Sequence, residues 1–131
     1  MDYSLFDDAK CISMIYKEKM PDLQNIEILK IVIKPGDNSE ISICVDTREL
    51  PQEMPSDWMK QEVSTVQIWI AFSGLEFVEF NLTNGKNCDL DISDNNGKKR
   101  VCITNNTDRK RICFDAKRIY AKNISACAEW P

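Results

Sequence analysis

The sequence of 131 residues contains no histidine. That excludes a Ser-His-Asp triad, a Cys-His dyad and any histidine-ligated metal. Catalysis would have to run on carboxylates, lysine, tyrosine or cysteine, which points away from an enzyme. No two cysteines have C-x-x-C spacing, so a zinc site lacks its usual signature. No apolar run approaches the length of a membrane helix. The opening MDYSLFDDAK is acidic and lacks the basic and apolar regions of a signal peptide. The expected location is cytoplasmic, with no membrane partner. Positive charge is also short: 17 Lys and Arg stand against 21 Asp and Glu, a net charge of -4. A phosphate backbone is a poor partner for such a surface, and a basic protein is a better one.

The remainder is an ordinary globular composition, 43% hydrophobic and 29% charged. The length suits one domain, residues 1–131, able to bury a core without metal or disulfide support. Six cysteines are present: Cys11, Cys44, Cys88, Cys102, Cys113 and Cys127. With no export signal, the reading favours free thiols over a disulfide scaffold. Sequons at Asn81, Asn105 and Asn123 would matter only on a secretory route.

Leu5, Ala9, Ile12 and Tyr16 form one helical stripe, predicting a helix over about 4–19 that starts at Asp2 or Ser4 and is stopped by Pro21. Asp7 and Asp8 are read as charges compensating its N-terminus. After Pro21 the apolar period becomes two. Strands are expected near 26–34, 40–46, 63–72, 76–83, 87–93, 99–105, 110–114 and 118–124.

Apolar residues on one face of a hairpin should face apolar residues across it. A turn at Asn96-Gly97, a dipeptide suited to positive φ at both positions, sets Ile92 opposite Val101 and Leu90 opposite Ile103. A turn at Thr107-Asp108 pairs Ile103 with Ile112 and Val101 with Phe114. A loop at Gly36-Asp37 pairs Ile33 with Ile41 and Ile31 with Ile43. A loop at Gly74 pairs Ile70 with Val78, Ile68 with Phe80 and Val66 with Leu82. One at Gly85 pairs Val78 with Ile92, Phe80 with Leu90 and Leu82 with Cys88, and one at Ala116-Lys117 pairs Phe114 with Ile119. The expected fold is mainly β: an N-terminal helix packed on an antiparallel meander of about eight strands, curled or split into a sandwich.

The segment DLDISDNNG at 89–97 has the look of a calcium loop. Counted from Asp89, the sixth position is Asp94 rather than glycine, and the twelfth is Arg100 rather than a bidentate glutamate. The arginine defeats the match, so no metal is expected. Asp89 and Asp91 instead belong to the face opposite Leu90 and Ile92. That second face also carries Trp69, Phe77 and Glu79; helix cover is the favoured account of its aromatics, a partner the alternative. Cys102 and Cys113 oppose each other on it. A disulfide is possible at that spacing, but the reading favours two small apolar side chains. The connection TRELPQEMPSDWMKQE at 47–62 places Trp58 among acids, as binding loops on rigid sheets often do. The candidate partner-binding residues are therefore Glu49, Glu53, Asp57, Trp58, Glu79, Asp89 and Asp91. No catalytic residue and no cofactor is assigned.

The segment PDLQNIEILKIVIKPGDNSEISICVD, the Pro55–Trp58 element and VQIWIAFSGLEFVEFNLTN come in an order that resembles the small immunity proteins of bacterial polymorphic toxin systems, the family numbered fifty. Pro21, Glu27 and Ile28 match the family's opening segment, and Phe72, Gly74 and Phe80 its later hairpin, while Gln24 and Asn25 stand where that segment has histidine and aspartate. The resemblance implies an antitoxin that binds a cognate toxin C-terminal domain, basic if that toxin is a nuclease. The residues alone leave open a small-molecule-binding β-barrel module or, further off, a carboxylate or cysteine enzyme.

Overall fold

The computed structural model describes residues 1–81 and 85–128, with the Phe77 side chain set aside. Expected pairings of Leu82, and the environment of the Phe77 side chain, lie outside the described residues. A 3-10 turn at Tyr3–Leu5 precedes α1 (Lys10–Tyr16), β1 (Ile26–Lys34), β2 (Glu40–Thr47), α2 (Ser56–Met59), β3 (Thr65–Ser73), β4 (Glu76–Phe80), β5 (Gly85–Asn95), β6 (Lys98–Asn105), β7 (Arg111–Ala116) and β8 (Arg118–Cys127). The strands form one antiparallel sheet in the order β4-β7-β6-β5-β1-β2-β3-β8, curled but not closed.

Three expected hairpins are present. Ile92 faces Val101 and Leu90 faces Ile103, across a turn in which Asn96 and Gly97 both have positive φ (53° and 85°). Ile103 faces Ile112 and Val101 faces Phe114. Ile33 faces Ile41 and Ile31 faces Ile43.

Three others do not form: at Gly74 and at Ala116-Lys117 the chain runs on instead of turning back, and β5 is separated from β4 by two strands, β7 and β6. β3 lies between β2 and β8, while β4 pairs with β7. The ladder keeps one register through the junction: Ser73 is opposite Arg118, and three residues further along each strand Glu76 is opposite Asp115. β3 and β4 are thus one strand bent at Gly74-Leu75, and β7 and β8 one strand bent at Lys117. The Lys117 N–H donates to the Ser73 carbonyl at 2.9 Å where the bends cross. Bent strands that pass from one sheet to another make the corners of orthogonally packed β-structures. Here they divide the sheet into two halves, β4-β7-β6-β5 and β1-β2-β3-β8, which meet at a short, irregular β1–β5 pairing.

The inner face is solid. Ile28, Ile43, Ile68, Ile70, Phe72, Leu90, Ile103 and Phe114 are all buried in one cluster. The Phe72 and Phe114 rings meet edge-on at 5.2 Å, one from each half. Ile12 and Tyr16 of α1 join this cluster, with Leu5 and Ala9 packed against it, so the predicted stripe is the buried one. The helix therefore covers the inner face. Trp69 stays half-buried on the outer face and outside the cluster, contrary to the expectation of helix cover.

The helix is also shorter than 4–19. Residues 7 and 8 are taken up by β8: the Asp7 N–H donates to the Ile119 carbonyl and the Ala121 N–H to the Asp8 carbonyl, both at 2.8 Å. The Asp8 carboxylate accepts the Lys10 N–H at 2.9 Å and starts α1 there. Lys17, at φ 59°, ends it. The Asp7 carboxylate serves the tertiary fold rather than the helix, accepting the Ile119 N–H at 2.8 Å and the Lys99 ammonium at 2.9 Å. Burial pushes its pKa up, but the Lys99 and Ile119 donors outweigh this and hold it below the ordinary 3.8. A lowered folded pKa means that the anchor is intact above the ordinary value and is lost as pH falls through the lowered one. The Ile119 amide should therefore lose hydrogen-exchange protection on acidification below the ordinary carboxylate range. In Asp7→Asn that pH dependence should disappear; an unchanged profile would refute the anchor.

Among the described residues no helix is long and apolar enough to cross a membrane.

Candidate surface for a protein partner

The candidate residues fall into two groups. Glu79, Asp89 and Asp91 lie on the outer face of β4-β7-β6-β5. Strand register sets Glu79 opposite Cys113, Cys113 opposite Cys102, and Cys102 opposite Asp91, a row with a carboxylate at each end. The row above runs Glu76, Asp115, Arg100. Asp115 is buried, and the Arg100 guanidinium 2.5 Å from it holds its carboxyl below the usual range. Lys98 pairs with Glu76. Arg111 lies 3.6 Å from Glu79, with both side chains exposed. Such exposed pairs contribute little to stability, ~0–1 kcal/mol.

Cys102 and Cys113 form a disulfide, with Cα atoms 4.3 Å apart, so the expectation of two thiols is corrected at this pair. The spacing is that of a non-hydrogen-bonded antiparallel pair, in which side chains approach most closely. Cys11, Cys44, Cys88 and Cys127 are free thiols. Burial pushes the thiols of Cys11, Cys44 and Cys88 up, the opposite of what an activated nucleophile needs.

Glu49, Glu53, Asp57 and Trp58 lie on the connection between β2 and β3. Trp58, on α2, packs against the core, while Asp57 on the same turn is exposed. Glu53 is exposed and lies 2.6 Å from the Lys17 ammonium, which holds its pKa down. These two residues border a cleft of about 320 Å³ that Tyr16 and Gln52 also line. Glu49 is structural as well as acidic. Its carboxylate accepts the Asp22 N–H at 2.6 Å, and its carbonyl accepts the Tyr16 hydroxyl at 2.6 Å. Burial first, and then Glu49, push the Tyr16 phenol up, so it remains a donor.

The segment from Asp22 to Asn25 links the two groups, a role that sequence patterning missed. Asp22 meets Glu49. The Leu23 carbonyl accepts the Leu90 N–H at 3.1 Å. Gln24 Nε2 donates to Asp91 at 3.4 Å, and the Asn25 N–H to Asp89 at 2.8 Å. The segment reaches these partners because Leu23 and Asn25 adopt φ of 59° and 54°. Asparagine tolerates that region, but leucine rarely enters it. Its burial, 1% exposed, is the compensation. Beside Asn25 a cleft of about 230 Å³ is lined by Glu27, Asp46, Lys86 and Asn87. Asp46 Oδ1 is buried there without a donor among the described residues. Among those residues, too, no three Cys, Asp or Glu side chains converge as a metal site.

The family model for Immunity protein 50 matches residues 8–126. No curated protein and no solved structure matches the chain.

Proposed function

The chain belongs to the Immunity protein 50 family, and we propose on that premise that it binds and neutralises a cognate bacterial toxin domain by direct contact, in the cytoplasm and without catalysis. The family match carries this reading. The surface is compatible with it: Glu79, Asp89 and Asp91 share one outer face, and Glu49, on the same connection as Glu53, Asp57 and Trp58, is tied to Asp22. Together they offer carboxylates to a basic toxin surface, and complementary charge chiefly raises the association rate and selects the partner. The C-terminal domain encoded in the neighbouring reading frame is the toxin to test. It should co-purify with the chain as a stable complex. Reversing charge at Glu53, Asp57, Asp89 and Asp91 together should slow association about tenfold or more at low salt, with a smaller effect at high salt. Unchanged association would remove these acids from the interface.

The alternative of a small-molecule module loses its expected site. The interior of the curled sheet, where a barrel would hold its ligand, is filled by Phe72, Phe114 and the isoleucines around them. Among the described residues, the clefts beside Glu53 and beside Asn25 lie at the surface instead.

A further inference from the structure

We propose that the open edge of β4 takes an extended segment of the toxin as an added strand, whose apolar residues lie beside Val78 and Phe80 and whose basic residues lie beside Glu76 and Glu79. The inference rests on the toxin-binding reading and names the contact by which that binding occurs.

The two bent strands create two equivalent open edges. Each arises where a bent strand runs beyond the hairpin beside it. β8 runs on past β6, whose first residues meet the end of β7: Lys99 is opposite Ala116. β4 runs on past β2, whose first residue, Glu40, is opposite Ser73 at the end of β3. The chain itself covers the start of the first edge. Residues 7 and 8 lie along β8, exchanging backbone hydrogen bonds with Ile119 and Ala121. Among the described residues no segment covers the second, and β4 is an end of the sheet. The molecule thus shows how such an edge is filled at one position, while among the described residues the other has no occupant.

The chemistry of β4 fits an occupant. Exposed edges are ordinarily blunted by charged side chains, lysine above all, by proline, by a bulge or by a very short strand. Of these, β4 has two glutamates and a register shift between Glu76 and Glu79. β4 reads EFVEF, with neither lysine nor proline. Val78 and Phe80 belong to the face that is buried elsewhere in the sheet, yet they are 49% and 45% exposed. Glu79 and Glu76 point to the outer face, where Glu76 pairs with Lys98 and Glu79, among the described residues, has the loose contact with Arg111. A strand added here would extend both faces at once. It would place apolar side chains over Val78 and Phe80 and cationic ones beside the glutamates, the alternation that a two-faced sheet demands. Backbone donors are available as well. The Asn81 N–H donates to the Arg111 carbonyl on β7. Alternation along an antiparallel strand therefore turns the Phe80 N–H to the open side.

That geometry supplies the test. Phe80→Pro removes an N–H that β7 does not use, so the ladder to β7 survives, whereas the added strand loses a donor and meets the proline ring. The probe is the neighbouring toxin C-terminal domain with the full-length chain. Phe80→Pro is expected to weaken the complex at least 100-fold while melting within a few degrees of wild type. In wild type, toxin binding should protect the Val78 and Phe80 amides from hydrogen exchange. The exchange measurement decides the matter if the proline variant fails to fold. If wild type binds the toxin without protecting those amides, or if a folded Phe80→Pro binds as tightly, this inference falls and the immunity reading stands. If wild type does not bind the domain at all, both fall. If the chain alone sediments as a dimer that Phe80→Pro dissociates, the edge belongs to a second copy and not to the toxin.

Discussion

Phe72→Ala is expected to lower the stability of the protein by about 3–5 kcal/mol, the usual cost of truncating a buried aromatic. Phe72 is fully buried on β3, and its ring meets Phe114 of β7 at 5.2 Å. The two strands lie in different halves of the curled sheet, so the pair packs the halves face to face. Losing the ring removes transfer energy and also the edge-on aromatic contact, worth about 0.5–1.5 kcal/mol beyond buried area. The cavity would be lined from both sides, so neither half can collapse into it alone. The measurement is urea unfolding, with a fall in midpoint at constant slope. Phe80→Ala is the control. It removes the same side chain from the same bent strand, but 45% exposed, and should cost less than about 1 kcal/mol. Similar losses at the two positions would mean that Phe72 does not join the halves.

The three hairpins that could be anticipated have turns whose residue chemistry is explicit, Asn96-Gly97 above all. The three that failed rested on alternation and, in two cases, on a single glycine, which suits a bend as well as a turn. A strand that turns back and a strand that bends and continues keep the same period of two, so Ile68, Ile70, Val78 and Phe80 look alike in either case. The apolar set was therefore largely right while the neighbours were wrong: Leu90, Ile92, Val101 and Ile103 are buried as expected, but β5 borders β1 instead of β4. Only the exposure of Val78 and Phe80 betrays where the chain left the predicted meander. The helix was overextended for a related reason. Periodicity registers the buried stripe, but not that Asp7 and Asp8 have better partners on β8.

At the candidate surface, parity sufficed to put Asp89 and Asp91 on the face opposite Leu90 and Ile92. It could not show that Gln24 and Asn25 would reach them, because that contact depends on a leucine in a backbone region leucine seldom adopts. The disulfide was half legible. The register put Cys102 opposite Cys113, while the choice between thiols and a bond rested on compartment, which a pairing pattern does not encode.

Gly74→Ala tests the bend itself. Gly74 has φ of +66°, and a Cβ placed there would lie 2.7 Å from the Lys117 Cβ. Two costs add. A non-glycine residue in the left-handed region costs about 1–2 kcal/mol, and forcing a methyl group into occupied space costs about 1–3 kcal/mol more. The clash cannot be relieved by swinging a long side chain away, because the atom in the way is the first carbon of Lys117 and moves only with its backbone. That backbone is held by the Lys117 N–H bond to Ser73, so relief would pull apart the point where the two bent strands cross. The expected loss is about 2–5 kcal/mol, again read by urea unfolding. The two costs separate in a double-mutant cycle. Lys117→Gly removes the obstructing carbon and should recover the clash portion in the Gly74→Ala background, leaving the backbone strain. Lys117→Ala keeps that carbon, the nearest at 2.7 Å, and removes only Cγ and Cδ at 2.9 and 3.0 Å, so it should recover less than Lys117→Gly. If alanine at 117 rescues as well as glycine, the crossing is looser than the crossed strands require, and β3 to β4 is a flexible link and not a bend.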